Sequence, residues 1–180
     1  MFKEEGKRGV VYLVYPFALK VEKRGSKAMY RIAHEGRWLK KVNFYGIGPR
    51  LYFPGKKFLL MQYVRGERIL DFFKHASLEE KKLVILEVFR QCSVLDKLHI
   101  DKQEMHHPLK HILIGKKIIL IDFERCKFSE KPKNVTQFAQ FLSQLGFELP
   151  RKDFERFLKE YKKSYREEDY MRIRDLIRRF

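Results

Sequence analysis

Runs of apolar residues divide this chain into a β-rich front and a helical rear. Val10 to Tyr15 is β-branched and aromatic, and Phe17 to Glu22 resumes the pattern after Pro16, so two strands are expected with the proline at their junction. Ser26 to Val42 changes to helical spacing through Met29, Ile32, Ala33, Gly36 and Leu39. Gly46, Gly48 and Pro49 mark a loop over 44–49, and Leu51 to Phe53 and Phe58 to Val64 read as strands around the turn Pro54-Gly55. Ser77 and Glu80 form a capping-box signature ahead of a long helix carrying Leu83 to Leu98. A histidine-rich loop, His99 to Lys110, leads to two short strands, His111 to Ile114 and Ile118 to Asp122. Asn134 with Gln137 gives a second capping signature, for a helix that Gly146 ends. Two more helices follow, one opened by Pro150 and one with Tyr170, Ile173, Leu176, Ile177 and Phe180 on one stripe. The order predicts an α+β protein with a front lobe over 1–64 and a rear lobe over 65–180, one domain overall.

Composition narrows the class. The chain has 180 residues, 44% of them hydrophobic, which suffices for a core, and no apolar run long enough to span a membrane. The opening Met1 to Gly9 lacks the apolar stretch of a secretory leader, so a cytoplasmic protein is expected. Two cysteines, Cys92 and Cys126, make no disulfide framework and read as buried thiols. Only Asn43 and Asn134 represent asparagine while charged residues reach 35%, a composition that fits a thermophile. The net charge is +17, and +10 of it lies in residues 1 to 60. Like charges at that density repel in the folded state, which points to a polyanionic ligand.

Four features then occur in a fixed order. Gly6-Lys7-Arg8-Gly9 precedes a strand, and glycines there admit phosphates close to backbone N–H groups. Alone, such a turn is more commonly a simple hairpin. Lys20 follows within Ala18-Leu19-Lys20, either facing water or buried as a working cation. Glu35 lies on the next helix, where it can hold that ammonium on a nucleotide's phosphates or simply face solvent. Ile119-Leu120-Ile121-Asp122 ends an apolar strand in a carboxylate, which caps a turn or binds Mg²⁺.

Together these match the protein kinase signature order, with Leu59 to Gly66 as the hinge segment and Met61 and Gln62 near the adenine. The chain resembles the compact, atypical kinases of the RIO-like kind, specifically the archaeal family of predicted Ser/Thr kinases. Glu104 to His111, Ile121 to Cys126 and Pro132 to Phe138 carry that resemblance. It implies a kinase-like fold, ATP and Mg²⁺ as cofactors, and ATP contacts from Gly6, Gly9, Lys20, Glu35, Met61 and Gln62. It implies metal binding by Asp122 with His111, and tRNA as substrate, phosphorylated on a uridine 2′-hydroxyl in the variable loop. A Ser/Thr protein or small-molecule kinase is the alternative, and a non-catalytic RNA-binding protein is a third reading.

Departures from the kinase pattern bear on the chemistry. The position five before His111, where kinases carry Asp, is His106. His106 is therefore favoured as the group that orients or deprotonates the acceptor, with Asp101, in Leu98-His99-Ile100-Asp101, second and Glu104 nearby. His111 replaces the usual Asn, leaving Asp122 to carry most of the metal binding. His107 and His111, four apart, also allow a zinc reading, which Pro108 disfavours. Glu124 replaces the hinge glycine, and only 58 residues follow Asp122, so no long activation segment is expected. For RNA phosphates the candidates are Lys7, Arg8, Lys23, Arg24, Lys27, Arg31, Arg37, Lys40 and Lys41. Trp38 and Tyr45 could stack on bases, and the final helix could add Arg172, Arg174, Arg178 and Arg179.

Overall fold

The computed structural model describes residues 2–5, 9–23, 30–147 and 151–179. Gly6, Lys7, Arg8, Arg24 and Lys27 lie outside them. The front is one antiparallel sheet in the order β1-β2-β3-β5-β4, built from β1 (Phe2–Glu5), β2 (Gly9–Val14), β3 (Phe17–Glu22), β4 (Leu51–Pro54) and β5 (Phe58–Gln62). Register pairs Ala18 with Met61 and Lys20 with Leu59, so these four share one face. Phe17, Leu19, Leu60 and Gln62 fall on the other.

Helix α1 (Arg31–Asn43) covers the Lys20 face. It begins at Arg31, because Tyr30 has φ 67 and a left-handed residue cannot continue a helix; Ser26 to Met29, the start of the expected helix, lie outside the described residues. Gly36 is what lets α1 approach: a Cβ there would meet the Leu59 side chain at 2.8 Å. Leu39, Val42 and Ile47 seal the contact with no exposed surface.

β6 (Glu67–Arg68) adds to the hairpin of β8 (Ile112–Ile114) and β9 (Ile118–Leu120), and β7 (Ile100–Asp101) pairs with β10 (Lys127–Phe128). The two expected short strands after the histidine-rich loop are present as β8 and β9, while β6, β7 and β10 were not expected. The short helix α2 (Ile69–His75) was also not predicted. The rear is built on α3 (Leu78–Lys97), which begins with the expected reciprocal cap between Ser77 and Glu80. α4 (Asn134–Gln144), α5 (Arg151–Ser164) and α6 (Glu167–Arg179) pack around it. Phe89 meets Phe138 edge-on at 5.0 Å at the centre of this packing. Among the described residues no helix is long and apolar enough to cross a membrane. Cys92 and Cys126 are buried free thiols.

Asn134 does not cap α4. It is the first helical residue, and its side chain turns inward to a buried polar cluster. Its Nδ2 donates to Asp96 Oδ1 at 2.7 Å and to the Ile100 carbonyl at 2.6 Å, while its Oδ1 accepts from the Lys102 N–H at 2.9 Å. Asp96 also accepts from the Asn134 and Val135 N–H groups and from the Tyr161 hydroxyl. Burial pushes the Asp96 carboxyl up to about 6, although these donors pull the other way. The cluster ties α3, α4 and α5 to the chain on both sides of Asp101.

Asp96→Ala should therefore strand four donors and destabilise the fold by about 3–5 kcal/mol, while Tyr161→Phe should cost about 1 kcal/mol. Urea denaturation of the two variants checks this, and equal losses would contradict the cluster's central role for Asp96.

Candidate active site

Lys20 projects from the α1-facing side of β3 and is mostly buried. Its Nζ donates to Glu35 Oε2 at 2.7 Å, and lies 3.6 Å from Asp122 Oδ1 and 4.0 Å from Glu124 Oε2. Burial alone would push the Lys20 ammonium down. The Glu35 carboxylate, then Asp122, outweigh it and leave the pKa above its ordinary value. Glu35 is 2% exposed on α1. Burial pushes its carboxyl up and the Lys20 ammonium pulls it back. Its second oxygen accepts from the Phe123 N–H at 3.4 Å, so one carboxylate spans the strand lysine and the segment after Asp122.

Asp122 follows β9 with φ 63, a left-handed conformation that costs a non-glycine residue roughly 1–2 kcal/mol and that Asp tolerates better than most. Its neighbours hold it there. Lys102 Nζ donates to the Asp122 carbonyl at 2.9 Å. The Phe123 ring is fully buried beneath the Lys102 ammonium, 5.1 Å from its centroid. Gly48 makes room for that ring, since a Cβ at this position (φ 78) would lie 3.0 Å from it. Burial works against ionising Asp122, but Lys20, Lys102 and His111 prevail and hold its carboxyl below the ordinary value.

The loop between β7 and β8 supplies the other wall. His111 Nδ1 lies 3.3 Å from Glu104 Oε2, and His111 Nε2 lies 4.0 Å from Asp122 Oδ2. Burial, with Lys102 adding to it, pushes the His111 imidazole down to about 4, so it is neutral at pH 7. Burial raises the Glu104 carboxyl, with Lys102 opposing.

Asp122 Oδ1, His111 Nδ1 and Glu104 Oε2 are buried and make no hydrogen bond. Orphaned acceptors of this kind fit a cation. Among the described residues no three His, Cys, Asp or Glu side chains form a cage able to hold a metal alone. An ion bound by one or two carboxylates and completed by phosphates and water needs no such cage, and that is the usual Mg²⁺ arrangement. The zinc alternative finds no third ligand beside His107 and His111 among the described residues.

The remaining expected residues are distributed as follows. Gly9 opens β2 opposite Glu22. Met61 shares the Lys20 face, whereas Gln62 lies on the opposite one, with its Oε1 accepting from the Arg50 N–H at 3.4 Å. Asp101 ends β7, 7% exposed, and accepts from the Gln103 N–H at 3.0 Å. His106 is exposed and makes no hydrogen bond among the described residues. Arg37, Lys40 and Lys41 line the exposed side of α1, with Lys41 Nζ 5.0 Å from the Trp38 ring centroid, and Lys23 follows β3. Arg31 is engaged with Glu124 at 3.4 Å. Lys102, fully buried, is the site residue that sequence reasoning missed. Its one signal was adjacency to Asp101.

No family model matches the sequence, and no curated protein does. Among solved structures, the Rio2 kinase of Chaetomium thermophilum, crystallised as an ADP/Mg²⁺-phosphoaspartate complex, is similar. The TM-score is 0.62 at 13% identity, over 99% of this chain and 69% of that one. The likeness shows the fold: this chain has a kinase-like fold of the RIO type.

The depressed His111 pKa has a sign that can be tested. The folded chain favours the neutral ring, so this contribution to stability is complete above about 6.5 and is lost as pH falls through about 4. In chelator, the urea stability of the unsubstituted protein relative to His111→Asn should fall across that window. A constant difference would show that burial of the neutral ring contributes nothing.

Proposed function

We propose that the chain is an ATP-dependent phosphotransferase whose acceptor is a ribose 2′-hydroxyl of tRNA, a uridine in the variable loop. The observation that carries the phosphotransfer reading is the Lys20–Glu35 pair at 2.7 Å with Asp122 Oδ1 at 3.6 Å. Its parts come from β3, α1 and the end of β9. Structural need alone does not account for it, because well-packed apolar residues serve stability as well as a buried ion pair does.

In this reading Lys20 binds the ATP phosphates, and Glu35 fixes the direction of its ammonium. Asp122 and His111 would hold Mg²⁺, which supplies charge neutralisation between the phosphates when bound. The backbone from Gly9 and the face carrying Ala18 and Met61 receive the nucleotide. Preorganised charge at a site already formed provides most of the acceleration.

For the acceptor hydroxyl, positioning favours Asp101. Asn134 holds the Ile100 carbonyl and the Lys102 N–H, so the backbone is locked on both sides of it. His106 has no comparable support, and an orienting group must itself be held. The tRNA part rests on the family resemblance in the sequence and on the +10 charge of residues 1 to 60.

Transfer of label from γ-labelled ATP with Mg²⁺, to bulk archaeal tRNA and in parallel to a generic protein, tests the proposal. Label should enter tRNA. Asp122→Ala should abolish it, Asp101→Ala should lower it about 10²–10⁴-fold, and His106→Ala should change it only a few-fold. Label only in protein would overturn the RNA substrate, and no label in either would overturn phosphotransfer.

A further inference from the structure

The surface cations of this protein fall into two populations. Several on α2, α3, α5 and α6 are neutralised by their own neighbours. Lys74 pairs with Asp71, Lys82 with Glu79, Arg90 with Glu87, Arg156 with Asp153 and Arg172 with Glu160, at 2.7 to 3.0 Å. Around the C-terminal end of α1 the situation is reversed. Lys40, Arg50 and Lys117 are exposed, come from α1, the entry to β4 and the β8–β9 turn, and have no carboxylate partner among the described residues.

These three cations border a groove of about 760 Å³. It lies at the β4 edge of the sheet, between the C-terminal end of α1 and Gln62 at the end of β5. No acidic side chain lines it. Phe44 stands at its edge 85% exposed and Tyr52 is 42% exposed, a costly display of aromatic surface in a folded chain. The Arg50 guanidinium lies 5.6 Å from the Tyr52 ring centroid, and Phe17 buttresses that ring edge-on at 5.3 Å.

The groove is built rather than incidental. Asn43 at its base spends all of its side chain on shaping the wall. Its Nδ2 donates to the Ile47 carbonyl at 2.9 Å and the Pro49 carbonyl at 3.0 Å, and its Oδ1 accepts from the Leu51 N–H at 2.7 Å. The Gln62 N–H donates to the Arg50 carbonyl at 2.8 Å from the other side. The backbone carrying Phe44, Arg50 and Tyr52 is therefore fixed before any ligand arrives.

We propose that this groove is a second, non-catalytic binding site for a single-stranded segment of nucleic acid. Bases stack on Phe44 and Tyr52, and phosphates lie against Lys40, Arg50 and Lys117. The mixture of π faces and unpaired cations, with no acid, is the chemistry of single-strand binding. A duplex hides its base faces, and an acidic peptide has no use for the two rings. That the strand is RNA rests on the proposed tRNA substrate. The site itself rests on the groove.

The test measures binding without ATP, so it stands apart from phosphotransfer. A fluorescein-labelled 12-nucleotide oligouridylate is titrated at several salt concentrations, with the corresponding A–U duplex and polyglutamate as competitors. Lys40→Gln/Arg50→Gln/Lys117→Gln should weaken binding at least tenfold and reduce the slope of log K against log salt by about 2, at about 0.7 per single-strand phosphate contact. Phe44→Ala/Tyr52→Ala should weaken it about tenfold with little change in that slope. Unchanged affinity in both groove variants overturns the site, as does competition by duplex or polyglutamate at least as strong as by unlabelled oligouridylate. Circular dichroism of each variant separates lost binding from lost folding. Failure here leaves any Asp122-dependent label transfer intact, whereas failure of the kinase reading leaves binding without transfer.

Discussion

The buried carboxylate of Glu35 is the constraint that organises the front of this protein. Removing an isolated carboxylate from water costs several kcal/mol, and it is tolerated only where both oxygens are answered. Lys20 answers one and the Phe123 N–H answers the other. The three groups are supplied by β3, α1 and the segment after β9, so satisfying a single side chain fixes the relative position of elements far apart in sequence. Gly36, next to Glu35, completes the arrangement by allowing α1 to sit directly on Leu59. Since an apolar replacement of such a pair is commonly neutral for stability, what the pair secures is the direction of the Lys20 ammonium.

A chain of polar contacts carries this constraint to the rear. Asp96 holds Asn134, Asn134 holds the backbone at Ile100 and Lys102, and Lys102 holds the carbonyl of Asp122. Asp122 then lies 3.6 Å from Lys20. Each link is buried or nearly so, where an unmade hydrogen bond is expensive and a made one is rigid. The left-handed turn at Asp122 persists because it is gripped at its carbonyl by Lys102 and at the following N–H by Glu35. A site held this way needs little reorganisation when a phosphate arrives, which is the property that electrostatic catalysis requires.

What the sequence disclosed follows from how local each signal is. The capping box of α3, the β-branched and aromatic runs of β2 and β3 and the glycine at the end of α4 involve residues a few positions apart, and they were legible. β6, β7 and β10 have two residues each and exist only through partners such as Leu113 or Lys127, so no local pattern announces them. Asn134 has the composition of a cap, but long-range donors and acceptors claim its side chain. Lys20, Glu35 and Asp122 were legible as an ordered set. Lys102 was not, because nothing in Asp101-Lys102-Gln103 indicates that a lysine amid polar neighbours has no exposed surface. Its burial is a consequence of Phe123 and Asp122 meeting it from 20 residues away.

Helix α1 joins the two kinds of chemistry that the front carries. Glu35 faces inward from it to the Lys20 pair, and Lys40, with Phe44 just past its end, faces the aromatic groove. At 1.5 Å per residue the interval from Glu35 to Phe44 is about 14 Å along one helix axis. Gly36 and Leu39 press the helix on the sheet between these points, so cleft and groove keep a fixed spacing. Lys40, Arg50 and Lys117 at the groove have no carboxylate partner among the described residues, so that side presents uncompensated positive charge. A polyanion approaching that side meets Lys40 on the helix that sets the Lys20 ammonium, Phe44 just past its end, and Arg50 and Tyr52 beside it. Helix α1 therefore contributes a side chain to both the cleft and the groove, Glu35 to one and Lys40 to the other.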